Sequence, residues 1–192
     1  MDLAAFMDAL GLDTAVIAGH CMGGYVAQRF ALDYPKRTQG LVLASSFPTM
    51  RGNPGVQELW DSTISTLKDP VDREVVVSFQ QSTLAQRVPD EFFETVVQES
   101  RTVPARVWKA VFTGLLQEDF SGELTRIDAP TLIVWGDQDT MCPGIDQDIL
   151  IRSIATSRLV VYSQTGHALH WEEPEHFADD VAEFVQDLVR TQ

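Results

Sequence analysis

Gly19-His20-Cys21-Met22-Gly23 stands between a short apolar run at 14–18 and a helix-like run at 25–32. A G-x-C-x-G pattern between a strand and a helix is typical of a nucleophile elbow, the sharp turn that presents a reactive side chain at the end of a strand. Glycines on both sides permit a backbone turn that a side chain would block. The sequence therefore predicts a strand–turn–helix unit with the Cys21 thiol presented at the turn.

Cys21 also has a purely structural interpretation, because free cysteine is among the most buried residue types. A reactive thiol needs a base, and the base needs an acid that orients it. Asp137 and Asp139 follow the apolar run 131–135, and His167 follows the apolar run 159–162. Because functional groups of open parallel sheets gather beyond the carboxyl ends of the strands, these side chains are expected to converge with Cys21.

Each of these partners has a rival interpretation. His167 could be an ordinary surface histidine, and His170, three residues further, is a second candidate base. Asp139 is favoured over Asp137 as the acid, because aspartate is common in turns for structural reasons alone. Cys142 lies close to the acid loop in sequence and is interpreted as chemically inert.

Composition limits the classes of partner and location. The 192 residues are 44% hydrophobic, which is enough for one ordinary globular domain. The net charge of −14 disfavours nucleic acid and anionic membranes as partners. The sequence has no apolar run near the roughly 18 residues of a membrane span, and its first residues lack the basic start of a signal peptide. With only two cysteines, a cytoplasmic location is expected.

Strand-like and helix-like patterns alternate along much of the chain. The four apolar runs at 14–18, 41–44, 131–135 and 159–162 predict an α/β fold with about four parallel strands flanked by helices. The helix after Cys21 is expected to bury Val26, Ala27 and Phe30.

Residues 47–120 interrupt this alternation with helical patterns only. We therefore expect a core formed by residues 1–46 and 121–192, and a helical cap formed by residues 47–120 over the carboxyl edge of the sheet. Trp108 and Phe112 in this cap are candidate substrate-binding residues. Packing within the cap itself is the alternative explanation of their apolar side chains.

The combined motifs resemble the α/β-hydrolase superfamily, in its esterase and enol-lactonase-like branch. The resemblance covers nearly the whole chain and implies that Cys21 is the nucleophile, Asp139 the acid and His167 the base. It also implies that the backbone N–H of Met22 is one donor of the oxyanion hole. The matching stretches are Gly19 to Gly24, Pro130 to Asp139 and Gly166 to Pro174.

Two features depart from that family's pattern. Cys21 stands where most members carry serine, either naturally or as an engineered change. No His-Gly segment, which supplies the second oxyanion donor in the family, precedes Cys21. The chain therefore resembles the C-terminal portion of such an enzyme, with an open edge at the strand before the elbow. An open apolar edge invites pairing, so a homodimer or another covering of that edge is expected.

The function expected from these observations is hydrolysis of small esters, thioesters or lactones through a Cys-His-Asp triad and a thioester acyl-enzyme, with low activity expected from an incomplete oxyanion hole. A non-catalytic binding or scaffold domain and an acyltransferase are the alternatives. Neither a metal nor a cofactor is expected.

Overall fold

A single parallel sheet forms the centre of the protein. The computed structural model describes residues 2–190. The four strands pair in the order β1-β2-β3-β4, and every pair is parallel. This confirms the predicted α/β class. The strands are β1 (Ala15–His20), β2 (Thr38–Ala44), β3 (Thr131–Gly136) and β4 (Ser157–Tyr162).

Helices connect and cover the strands. α1 precedes β1, α2 links β1 to β2, α3 to α6 lie between β2 and β3, α7 links β3 to β4, and α8 and α9 follow β4. The helices are α1 (Asp2–Ala9), α2 (Met22–Asp33), α3 (Pro54–Ser62), α4 (Arg73–Ser82), α5 (Asp90–Thr102), α6 (Ala105–Gln117), α7 (Gly144–Ser153), α8 (Leu169–Glu172) and α9 (Pro174–Arg190). Short 3₁₀ helices span Pro35–Arg37, Ile64–Thr66 and Ser121–Arg126.

Both faces of the sheet are buried at the central strands β2 and β3, which explains why these strands contain continuous apolar runs. Successive side chains of a strand point to opposite faces. Leu41 and Leu43 of β2 belong to one hydrophobic cluster, together with residues of α1, α2 and α7. Val42, between them, belongs to a second cluster with Phe184 and Leu188 of α9. All three β2 side chains are completely buried, so the sheet is sandwiched between two helical layers.

Helices α3 to α6 have a hydrophobic cluster of their own. Its buried members include Ile64, Val76, Val97 and Phe112. The predicted helical character of this part of the chain agrees with the structure, although α3 and α4 were not individually expected. Within residues 2–190, no helix is both long and apolar enough to cross a membrane.

Helix α2, beside β1, differs from the prediction at one residue. Val26 of α2 was expected to be buried and is 50% exposed, while Ala27 and Phe30 are buried as expected. The large side chains of Phe6 and Leu10 are also exposed. In the described part of the chain β1 pairs only with β2, so its other edge is unpaired, as the sequence predicts.

Candidate active site

The elbow is built as the sequence predicts, with Cys21 between the end of β1 and the start of α2. Its backbone has φ 51° and ψ −118°, a conformation that residues other than glycine rarely adopt. The Cys21 N–H donates to the Ala44 carbonyl at 2.9 Å, and the Cys21 carbonyl accepts from the Tyr25 N–H at 3.1 Å. These bonds hold the strained residue at the junction of two strands and a helix.

The glycines around Cys21 have unequal roles. A Cβ on Gly19 would lie 2.1 Å from the carbonyl oxygen of Gly23, and one on Gly24 would lie 2.5 Å from the Ser46 Oγ. A Cβ on Gly23 would meet nothing within 4 Å. The expectation that both glycines of the pentapeptide are sterically required is therefore met at Gly19 and not at Gly23. Gly24, outside the pentapeptide, takes that role because α2 passes close to the end of β2.

Asp139 and His167 form a buried pair. The Nδ1 atom of His167 lies 2.9 Å from Oδ2 of Asp139, and both residues are at most 5% exposed. The other carboxylate oxygen of Asp139 accepts the backbone N–H groups of Met141 and Cys142, each at 2.9 Å. Both oxygens of the carboxylate are thus engaged, which holds Asp139 in place against the imidazole.

The Cys21 sulfur lies next to this pair. The Sγ atoms of Cys21 and Cys142 and one ring nitrogen of His167 all lie within 4.8 Å of one another. Because Nδ1 is bound to Asp139, Nε2 is the nitrogen available to the sulfur. The structure thus brings together Cys21, His167 and Asp139, which come from the ends of three different strands.

The pKa values of Cys21, His167 and Cys142 are strongly shifted from their usual values. The pKa of Cys21 is lowered well below its usual value, mainly by a hydrogen bond from the Cys142 thiol. Burial opposes this shift, whereas His167 and the Met22 N–H lower the pKa further. Burial lowers the pKa of His167, but its bonds to Asp139 and Cys21 outweigh burial and raise the pKa overall. Burial raises the pKa of Cys142. The arrangement favours a Cys21 thiolate beside an imidazolium, with Cys142 as a neutral thiol.

The rival residues lie elsewhere. The His170 ring packs against His20, with 4.4 Å between ring centroids, and its Nδ1 atom is buried without a hydrogen-bond partner. Burial lowers the pKa of both His20 and His170 to about 4. Asp137 is exposed and accepts the Gln164 N–H at 2.7 Å, which is a turn contact. These positions make His170 a poor base and Asp137 a poor orienting acid.

Cys21 opens onto a small apolar pocket of about 220 Å³. Phe112, one of the two predicted substrate-binding residues, lines this pocket, but Trp108 does not. Trp108 instead lines a separate cavity of about 470 Å³ between α3, α4 and α6, because its position on α6 is a full turn before Phe112. The pocket is lined by Cys21, Met50, Asn53, Gly55, Val56, Leu59, Phe79, Phe112, Leu115, Thr140 and Met141.

Sequence reasoning missed two groups of residues at this site. Cys142, interpreted as inert, lies beside the Cys21 sulfur. Its place three residues after Asp139, in the same loop, was the one available signal. The pocket residues of α3, Val56 and Leu59, carried no signal, because only the folded path of α3 brings them to the elbow.

Comparison with known proteins shows which family the chain resembles. Residues 1–174 match the alpha/beta hydrolase fold family. The chain is 30% identical to a 2-hydroxy-6-oxononadienedioate/2-hydroxy-6-oxononatrienedioate hydrolase of Burkholderia vietnamiensis, over 96% of this chain and 66% of that protein. It is also 30% identical to a 2-hydroxy-6-oxo-6-phenylhexa-2,4-dienoate hydrolase of Comamonas testosteroni, over 89% of this chain and 62% of that protein. The chain thus spans slightly less than two thirds of each relative.

Solved structures show the same fold. A thermophilic esterase from Thermogutta terrifontis superposes with a TM-score of 0.85 at 26% identity, over 97% of this chain and 70% of the esterase. An esterase from Exiguobacterium antarcticum has a TM-score of 0.86 at 23% identity, over 96% of this chain and 71% of that one, a likeness of fold alone. With a family match across nine-tenths of its length, the chain belongs to the α/β-hydrolase fold family.

Proposed function

We propose that this chain carries a hydrolase site for small esters, thioesters or lactones, with Cys21 as nucleophile, His167 as base and Asp139 as acid. The observation that supports it best is the meeting of these three side chains at the mouth of an apolar pocket. Their convergence from separate strand ends is what triad chemistry requires.

The first half of the reaction forms a thioester. The Cys21 proton passes to His167, and the thiolate attacks the carbonyl carbon of the substrate. The Met22 N–H, at the start of α2, donates to the oxyanion as its charge develops. The tetrahedral intermediate then expels the alcohol or thiol, which takes its proton from His167. Cys21 is left acylated, and His167 is neutral again.

The second half releases the acid. Neutral His167 takes a proton from water, and the resulting hydroxide attacks the thioester carbonyl. Collapse of this intermediate breaks the carbon–sulfur bond, and the proton returns from His167 to the Cys21 sulfur. Asp139 keeps the imidazole in the required orientation throughout. Removing one oxyanion donor typically costs about 10²–10³-fold in turnover, so a contribution of that size is expected of the Met22 N–H.

The pocket favours a small, uncharged acyl group. Its described lining is apolar apart from Asn53 and Thr140, and it contains neither lysine nor arginine. The relatives named as dienoate and dienedioate hydrolases act, by those names, on carboxylate-bearing compounds. A pocket without a cation offers no partner for such a carboxylate, so neutral esters, thioesters or lactones are the better fit.

We also propose that residues 47–120 act as a cap on a core formed by residues 1–46 and 121–192. Helices α3 to α6 have their own hydrophobic cluster. They also supply Val56, Leu59, Phe79 and Phe112 to the pocket. In this arrangement the cap determines which acyl groups reach Cys21.

Intact-mass spectrometry after incubation with p-nitrophenyl butyrate tests the proposal. We expect one butyryl group per wild-type chain, no adduct on Cys21→Ala, and much slower acylation of His167→Gln. The matched control is His176→Gln, an exposed histidine of α9, which should acylate like the wild type. A wild type that never acylates would contradict the proposal and favour a binding or scaffold domain. Product analysis with an added amine or thiol acceptor would separate acyl transfer from hydrolysis.

A further inference from the structure

Cys142 is the chemically competent side chain at the site that the proposed reaction does not use. It is completely buried, and its sulfur lies within 4.8 Å of both the Cys21 sulfur and a His167 ring nitrogen. Two sulfurs and one imidazole nitrogen therefore surround one small volume. Two thiolates and an imidazole are a donor set that zinc favours, and a Cys₂His set with one open position is found in catalytic zinc sites.

We propose that Cys21, Cys142 and His167 form a binding site for Zn²⁺. In a tetrahedral site with zinc–sulfur bonds of about 2.3 Å and zinc–nitrogen bonds of about 2.0 Å, donor atoms stand roughly 3.5–3.8 Å apart. The three donor atoms here lie within 4.8 Å of one another. Side-chain movements of about an ångström therefore suffice to close the site around an ion.

The surroundings of His167 are those of a metal ligand. Its Nδ1 atom is bound to the Asp139 carboxylate at 2.9 Å, which leaves Nε2 for a metal. A carboxylate on the far nitrogen is the usual support of a zinc-bound histidine, because it fixes the ring and makes the ligand more basic. Asp139 is itself fixed by the N–H groups of Met141 and Cys142. One loop thus supplies both a ligand and the support of another ligand.

The pocket beside Cys21 leaves room for a fourth ligand of the metal. Cys21 and the neighbouring Met141 both line it, so a fourth position on the metal faces space where a water molecule fits. Binding releases two protons to solvent, one from the Cys21–His167 pair and one from the Cys142 thiol. The ion then occupies the sulfur and the nitrogen that hydrolysis needs, so zinc-bound protein is inactive as a hydrolase. This last consequence rests on the proposed function, whereas the binding itself does not.

Titration of the reduced, metal-free protein with ZnCl₂ and with CdCl₂ tests the site. We expect one tightly bound ion per chain, with the ultraviolet charge-transfer absorption of two thiolates for Cd²⁺. Cys142→Ala should halve that absorption and weaken Zn²⁺ binding by more than about 100-fold, because even the loss of a supporting residue costs about 10–100-fold. Asp139→Asn, which removes only the support, should weaken binding by that smaller factor.

His176→Gln and Asp137→Asn are the matched controls, since both side chains are exposed and lie outside the site. Neither should change Zn²⁺ affinity. A wild type that binds Cd²⁺ without thiolate absorption would overturn the proposal, and so would a Cys142→Ala protein that binds as tightly as the wild type. The wild-type result decides the question even where a variant fails to fold. Because the titration measures Zn²⁺ binding directly, its result is independent of the ester assay, and the two proposals can be accepted or rejected separately.

Discussion

At the scale of single residues, the Asp139–His167 contact is the part of the site that makes the sharpest prediction. Asp139→Asn keeps an oxygen that can accept the Met141 and Cys142 N–H groups, but it removes the negative charge opposite Nδ1. An amide that presents its NH₂ group to Nδ1 favours the wrong imidazole tautomer, so we expect acylation to slow on the order of 10⁴-fold.

Stopped-flow release of p-nitrophenol measures that loss. Asp137→Asn is the internal comparison, because Asp137 is an exposed acid two residues away in the same loop. If the two substitutions slowed acylation equally, the effect would come from the negative charge of the loop in general, and Asp139 would not be the orienting acid.

The positions of the three triad candidates could be predicted because each follows a strand, and parallel strands bring their carboxyl ends to one edge. The environment of Cys142 could not be predicted from the sequence. Its sulfur meets Cys21 through the bend of the loop after β3, which depends on two N–H bonds to Asp139. For a similar reason, the sequence could not show that Phe112 lines the pocket and Trp108 does not. Both residues lie on an apolar face of α6, and only packing decides which side chain faces the pocket.

At the scale of elements, the central strands β2 and β3 were predictable because burial on both faces gives them continuous apolar runs. The predicted run 41–44 is the carboxyl-terminal part of β2, which begins at Thr38. α7 was missed because its sequence alternates little between apolar and polar faces: only Gln147 and Leu150 are buried. Val26 was assigned to the core because periodicity identifies an apolar face without telling whether anything packs on it.

The packing of α2 against the end of β2 predicts opposite outcomes for two adjacent glycines. Gly24→Ala places a Cβ within 2.5 Å of the buried Ser46 Oγ, which also accepts a hydrogen bond from Gln28. We expect the free energy of unfolding to fall by about 1–3 kcal/mol, as in overpacked cores. Gly23→Ala meets open space in the same helical turn and is expected to be neutral or to stabilise by about 0.4–1 kcal/mol.

Urea denaturation of the two variants beside the wild type measures both changes. The two substitutions add the same methyl group to neighbouring positions, so helix propensity contributes similarly to each. If Gly24→Ala proved as stable as Gly23→Ala, the close approach of α2 to Ser46 would not hold in solution.

At the scale of the whole molecule, the two edges of the sheet differ in how they are protected. β4 carries Arg158, whose guanidinium lies over the Phe184 ring, and a charged residue on an edge discourages pairing. β1 carries no charged residue, because the pKa of its terminal His20 is lowered to about 4, and Val26 is exposed on α2, which contacts β1. We therefore propose that a second copy of this chain covers the β1 side.

Charge sets the conditions under which this association should appear. Each copy carries a net charge of −14, so two copies repel one another at low ionic strength. Salt screens this repulsion over about 10 Å at 0.1 M, while burial of apolar surface is retained. Sedimentation equilibrium should therefore show a dimer fraction that rises with salt. Val26→Glu should abolish the dimer, whereas Val161→Glu, at an equally exposed valine of β4, should leave it unchanged. A monomer at every salt concentration, or equal effects of the two substitutions, would mean that β1 is not the contact surface.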